Sequence, residues 1–152
     1  MLKQRESAKM TDTTTLTKSI VLAAAPEVVW SYLTDKSKLG EWYHPAEKDL
    51  SADATYSLVR QADDGSTKPQ VWGDVLEWQP HKRLVTTFCI GPFEDRASTV
   101  TWDLMEIPGG TRLTLTHTGI AEAAQDAALP LMMALDVGWD SHLADMRTSV
   151  NP

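Results

Sequence analysis

One long apolar stripe near the C-terminus most constrains how this chain can fold. From about Ala121 to Arg147 the pattern is helical, and Met132, Leu135, Trp139, Leu143 and Met146 recur at spacings of three and four, on one face of one helix. Pro130 breaks or starts that helix, because a proline inside it would lose a hydrogen bond and clash with the preceding turn. A face of that length needs a broad apolar surface to cover it. Most of what precedes it in the chain reads as strand. Leu16, Ile20 and Leu22 alternate with Thr17, Ser19 and Val21. The later segments ATYSLVR (54–60), VWGDVLEW (71–78), LVTTFCI (84–90), STVTWDLMEI (98–107) and TRLTLTHT (111–118) have the same texture. They are separated by QADDGSTKPQ, QPHKR, GPFEDRA and Pro108-Gly109-Gly110, all rich in turn formers.

Between the first strand and the rest lie two short helical stretches. Pro26 suits the first turn of a helix over roughly 26 to 34, with Val29, Trp30 and Leu33 as its apolar face. Asp35 or Ser37 caps a second helix that stops at Gly40. The order is strand, two short helices, a run of hairpin-connected strands and a closing helix. That order predicts an α+β fold, an antiparallel sheet of about seven strands with helices covering one face.

Composition narrows the function. At 152 residues the chain suits one domain and can bury a sizeable core without staples. Its single cysteine, Cys89, excludes an internal disulfide and a cysteine-based zinc site, and makes a cytoplasmic location the default. A net charge of −7 argues against nucleic acid and anionic membranes as partners. No apolar run approaches the ~20 residues of a membrane span. MLKQRESAKM has no apolar core region, so it does not read as a secretory signal. Residues 1 to about 14 are expected to be a disordered tail, with Met10 as an alternative start, and 15–148 to form the domain.

The segments APEVVWSYLTD (25–35), LGEWYHP (39–45), GDVLEWQPHKRLVTTF (73–88), GGTRLTLTHTGI (109–120) and GWDSHL (138–143), in this order and spacing, carry a family resemblance. The chain resembles the activator-of-Hsp90-ATPase-homologue branch of the START/Bet v 1-like superfamily. The resemblance implies a helix-grip fold, in which a strongly bent sheet wraps around the long C-terminal helix and the two short helices close one end. It also implies a cavity between sheet and helix that holds apolar small molecules in many members. Its members include cyclases and other enzymes as well as Hsp90 co-chaperones, so fold transfers better than function.

Within that fold the candidate ligand-binding residues are Trp42, Tyr43, Phe88, Trp102, His117, Met132, Leu135 and Trp139. Trp42 reads as an anchor at the end of the second short helix or as pocket wall; an aromatic of this size buries about 150–250 Å². Tyr43 and His44 fall near the cavity mouth, with His44 read as a rim residue. His117 continues the alternation Leu113, Leu115, so it points inward, where its imidazole needs a hydrogen bond, a water or a ligand. His142 lies at the edge of the helical stripe and His81 in an exposed turn. No pair of histidines stands at metal-ligand spacing, so no metal or other cofactor is expected. Cys89 reads as a buried inert thiol. There is no nucleophile motif and no glycine-rich phosphate loop.

Three functions fit this reading. The first is binding of an apolar small molecule in a pocket of roughly 300–1,000 Å³. The second is an enzyme of the cyclase or hydrolase kind in the same cavity. The third is a protein-interaction module acting on a chaperone or another protein through an exposed apolar patch. A homodimer through a sheet edge or a helix is compatible with all three.

Overall fold

A computed structural model describes residues 13–151, so most of the expected tail, residues 1–12, lies outside the described residues. The chain runs β1 (Leu16–Leu22), α1 (Pro26–Thr34), α2 (Lys36–Trp42), β2 (Thr55–Gln61), β3 (Thr67–Gln79), β4 (Arg83–Phe88), β5 (Ser98–Ile107), β6 (Gly110–Thr118), α3 (Ile120–Ala124) and α4 (Ala128–Val150). Short 3-10 turns at Gly91–Phe93 and Gln125–Ala127 link β4 to β5 and α3 to α4. Fold class and element order agree with the sequence pattern. The sheet has six strands, ordered β1-β6-β5-β4-β3-β2, rather than seven. Two further stretches come close to strand pairing but stop at one bridge each, Ala46 to Leu58 and Trp72 to Cys89.

Every neighbouring pair of strands is antiparallel. Four of the five contacts are sequential hairpins; the fifth brings β1 back beside β6, with Leu16 opposite His117 and Leu22 opposite Thr111. The α1–α2 excursion therefore carries the chain from one sheet edge to the other. Two bulges, at Gln70 opposite Leu58/Val59 and between Val75 and Glu77, both bend β3.

The second bulge decides a face that simple alternation assigns wrongly. By period two, Trp78 belongs with Trp72, Asp74 and Leu76, and Glu77 with Val71, Gly73 and Val75. Val75 pairs with Thr86, whereas Glu77 pairs with Val85 and Trp78 with Leu84, so Leu76 is the extra residue. Val71 and Val75 are buried, and Trp78 turns inward to meet Trp30 edge-on at 5.0 Å. Glu77 turns out and joins Arg83 and Asp103 in an exposed ion cluster.

The helices follow their local chemistry with three corrections. Pro26 opens α1 as expected. Asp35 stands at the N-cap position of α2 but makes no side-chain capping bond. The helix does not stop at Gly40; it runs on to Trp42, and Gly40 packs closely there, since a Cβ would sit 3.2 Å from the Pro45 side chain. Pro130 falls in the first turn of α4, where a missing N–H costs nothing. The expected helix from Ala121 is thus two helices, interrupted at Gln125, whose φ is 54°.

Trp139, Leu143 and Met146 are the buried positions of α4, and they pack on the inner face of the sheet. Lys18 on β1 bridges to Asp136 at 2.6 Å and Asp140 at 3.0 Å on α4. Beyond that contact, α4 has an apolar outer side. Leu129, Met133 and Val137 are 69%, 63% and 67% exposed. No helix among the described residues is long and apolar enough to cross a membrane.

Candidate functional site

The site is built where α2 ends, at LGEWYHP. Trp42 is buried, and its Nε1 donates to the Tyr32 carbonyl at 2.8 Å, which pins the end of α2 to α1. Tyr43 leaves the helix and stacks on Trp42 at 5.1 Å. It also meets Trp139 of α4 at 5.3 Å and His142, one turn further on, at 4.7 Å. His44 follows, 4.7 Å from Tyr43 and 5.4 Å from His142. From the sheet side, Trp102 meets Trp42 and Trp139 edge-on at 5.8 and 5.6 Å, and Phe88 lies 6.1 Å from Trp139. The anchor and wall readings of Trp42 therefore coincide.

Two spaces adjoin this aromatic cluster. An interior void of about 30 Å³ lies between sheet and helices, lined by Trp42, Tyr43, Tyr56, Phe88, Trp102 and Trp139 among others. That is room for about one water. A cleft of about 220 Å³ lies outside it, between β3–β4 and the first half of α4, with Tyr43, His44, Gln70, Leu135, Trp139 and His142 in its wall. Tyr43, Phe88 and Trp139 line both spaces and form the partition between them. The enclosed pocket of roughly 300–1,000 Å³ expected from the sequence is thus absent from the interior. Large aromatic side chains fill the place where it would be.

His117 has a different place from the one its inward direction suggested. It is fully buried and lines neither space. Trp139 Nε1 donates to its Nδ1 at 3.0 Å. An indole N–H can only donate, so Nδ1 is bare and the ring proton is on Nε2. Nε2 then donates to Ser98 Oγ at 2.7 Å, and Ser98 Oγ donates to the Phe88 carbonyl at 3.2 Å. Both ring nitrogens are used within the protein. Burial pushes the imidazole down to about 3, so it is neutral across the physiological range. His117 orients Trp139 and the end of β4; it offers no atom to a ligand in this arrangement.

Met132 packs against the core but lines neither space, whereas Leu135 lies in the cleft wall. Sequence reasoning missed His142 and set His44 aside as a rim residue. The two rings meet across the chain, His44 from the segment after α2 and His142 from α4, and nothing local in either segment signals it. His142 Nδ1 lies 3.2 Å from the Trp42 carbonyl oxygen. Burial lowers both imidazoles, and for His44 the neighbouring His142 adds to the effect. Burial also holds the Tyr43 phenol well above its usual value, so it stays protonated. Arg96 donates from Nε to the Ala123 carbonyl at 2.8 Å, which ties the β4–β5 connection to α3, and its Nη1 lies 3.8 Å from the Glu94 carboxylate. Cys89 is a buried free thiol. Among the described residues no three His, Cys, Asp or Glu side chains converge as metal ligands.

Comparison with known proteins agrees with this architecture. The protein MLL2253 from Mesorhizobium loti superposes with a TM-score of 0.71 at 23% identity, over 88% of this chain and 94% of that one. CalU16 from Micromonospora echinospora gives 0.72 at 22% identity, over 90% and 74%. The solution structure of the Aha1 dimer from Colwellia psychrerythraea gives 0.69 at 16% identity, over 90% and 95%. At these identities the likeness is one of fold. No curated protein matches the sequence. Residues 23–151 match the family described as activator of Hsp90 ATPase homolog 1-like protein, which is nearly the whole helix-grip domain, and the chain belongs to that family.

Proposed function

We propose that this chain binds an apolar small molecule at the junction of the sheet and α4. The observation that carries the reading is the partition. A cleft of about 220 Å³ and a void of about 30 Å³ are separated by the side chains of Tyr43, Phe88 and Trp139. A ligand seated in the cleft meets those three rings and Leu135 directly. Displacement of Tyr43 would extend the space inward to Trp42 and Trp102. His117 and Met132 act behind this wall, His117 by holding Trp139. The test is native mass spectrometry of the protein as purified from cells, followed by extraction of bound compounds and titration with an apolar fluorescent probe. A retained apolar compound, or saturable probe binding weakened by Leu135→Asp, is expected. An empty protein that also ignores the probe would overturn the reading.

Turnover in the same space would have few groups to work with. The titratable side chains lining the two spaces are His44, His142, Tyr43 and Tyr56; no carboxylate lines either one. Cyclase- or hydrolase-like chemistry would thus depend on the two imidazoles.

A second reading, a protein-interaction module, is favoured by the outer side of α4. Leu129, Met133 and Val137 form an exposed row at spacings of four, symmetric about Met133. Antiparallel pairing of two copies of α4 would set Leu129 against Val137 of the other copy and Met133 against itself. Sedimentation should then show a dimer that Met133→Glu dissociates. A monomer at high concentration would refute it.

A further inference from the structure

The cleft has a polar edge whose chemistry selects among apolar ligands. Trp42 supplies a carbonyl oxygen at 3.2 Å from His142 Nδ1, and a carbonyl can only accept. The Nδ1 atom therefore carries the ring proton. The neutral ring then has its lone pair on Nε2, and no described residue bonds to that atom. His44, across the cleft mouth, makes no hydrogen bond to the described protein through either nitrogen. Burial disfavours the charged form of both rings, against the Trp42 carbonyl and Asp145, which favour charge on His142. At neutral pH the edge of the cleft is thus an uncharged acceptor beside a wall of aliphatic and aromatic side chains with one neutral amide, Gln70.

We propose that the ligand is a planar aromatic compound bearing a hydroxyl, a phenol, which donates its O–H to Nε2 of His142 while its rings lie against Tyr43, Phe88 and Trp139. This inference rests on the binding function proposed above and adds the ligand class. Size agrees. At interior packing density, roughly 0.74, the cleft of about 220 Å³ takes about 160 Å³ of ligand, the bulk of a two-ring aromatic. A cationic ligand would meet no carboxylate in the wall, and a carboxylate ligand would meet no cation. A neutral donor is the partner that an uncharged imidazole with a bare Nε2 recognises.

The test compares 2-naphthol with 2-methoxynaphthalene by isothermal titration calorimetry at pH 7.5. The two share the ring system, and only the first can donate. Naphthol should bind about tenfold more tightly, the effect of one buried hydrogen bond. In His142→Phe that advantage should disappear while the ether still binds. Equal affinities for the wild-type protein would overturn the phenol inference and leave the apolar pocket standing. Binding of neither compound would overturn both. A measurement on the unmutated protein stands apart from any folding defect of the variant. Nitrogen-15 NMR should find His142 protonated on Nδ1, with the Nε2 resonance shifting on addition of naphthol. A proton on Nε2 in the free protein, or no shift at saturation, would refute the proposal.

Discussion

The buried relay Trp139–His117–Ser98–Phe88 makes stability depend on pH in a way that can be calculated. The folded imidazole lies at about 3, whereas in the unfolded chain it returns to its ordinary value near 6.5. Between those values the unfolded state binds the proton and the folded state does not. Stability from this group is therefore complete above about 6.5 and is lost as pH falls toward 3. At pH 5 the unfolded imidazole is about 1.5 units below its pKa, so protonation favours unfolding by about 2 kcal/mol relative to pH 7.5. The variant His117→Gln keeps a donor and an acceptor in the relay but cannot titrate. Urea unfolding of both proteins at pH 7.5 and pH 5 isolates the effect, because the shares of His44, His142 and the carboxylates are common to both. The wild-type protein should lose about 2 kcal/mol more than the variant. Equal losses, or an NMR titration of His117 near 6.5, would refute the assignment of a buried neutral ring.

Other consequences are as direct. Trp139→Leu removes the partition and the donor to His117 together; it should cost about 3 kcal/mol in urea unfolding and increase binding of an apolar fluorescent probe per folded molecule. Gly110 lies where a Cβ would overlap the Leu22 carbonyl oxygen across the β1–β6 edge, so Gly110→Ala should lower Tm by several degrees, at about 1–3 kcal/mol. Lys18→Met breaks the bridges to Asp136 and Asp140, but all three groups touch solvent. Its cost should stay below about 1 kcal/mol and vanish near 1 M salt, as chemical denaturation at two ionic strengths would show.

What the sequence determined by itself is what local periodicity encodes. The α4 stripe, the alternation in β5 and β6, Pro26 at a helix start and the turn-rich connections predict strand and helix order, because each depends on neighbours a few residues away. The inward direction of His117 was legible in the same way, from Leu113 and Leu115. Its role was not. That role depends on an indole N–H delivered by α4 and a hydroxyl delivered by β5, and no spacing rule relates those positions to β6. The bulge between Val75 and Glu77 likewise reverses Glu77 and Trp78 because ladder pairing to β4, not β3's own alternation, sets the register. His44 and His142 come together across most of the chain's length. The size of the cavity is the clearest case. It is a small difference between the volume the fold encloses and the volume its side chains occupy, and packed aromatic rings decide it. Only the tertiary structure could show that Trp42, Tyr43, Phe88, Trp102 and Trp139 nearly close the interior and leave the open space in the cleft outside.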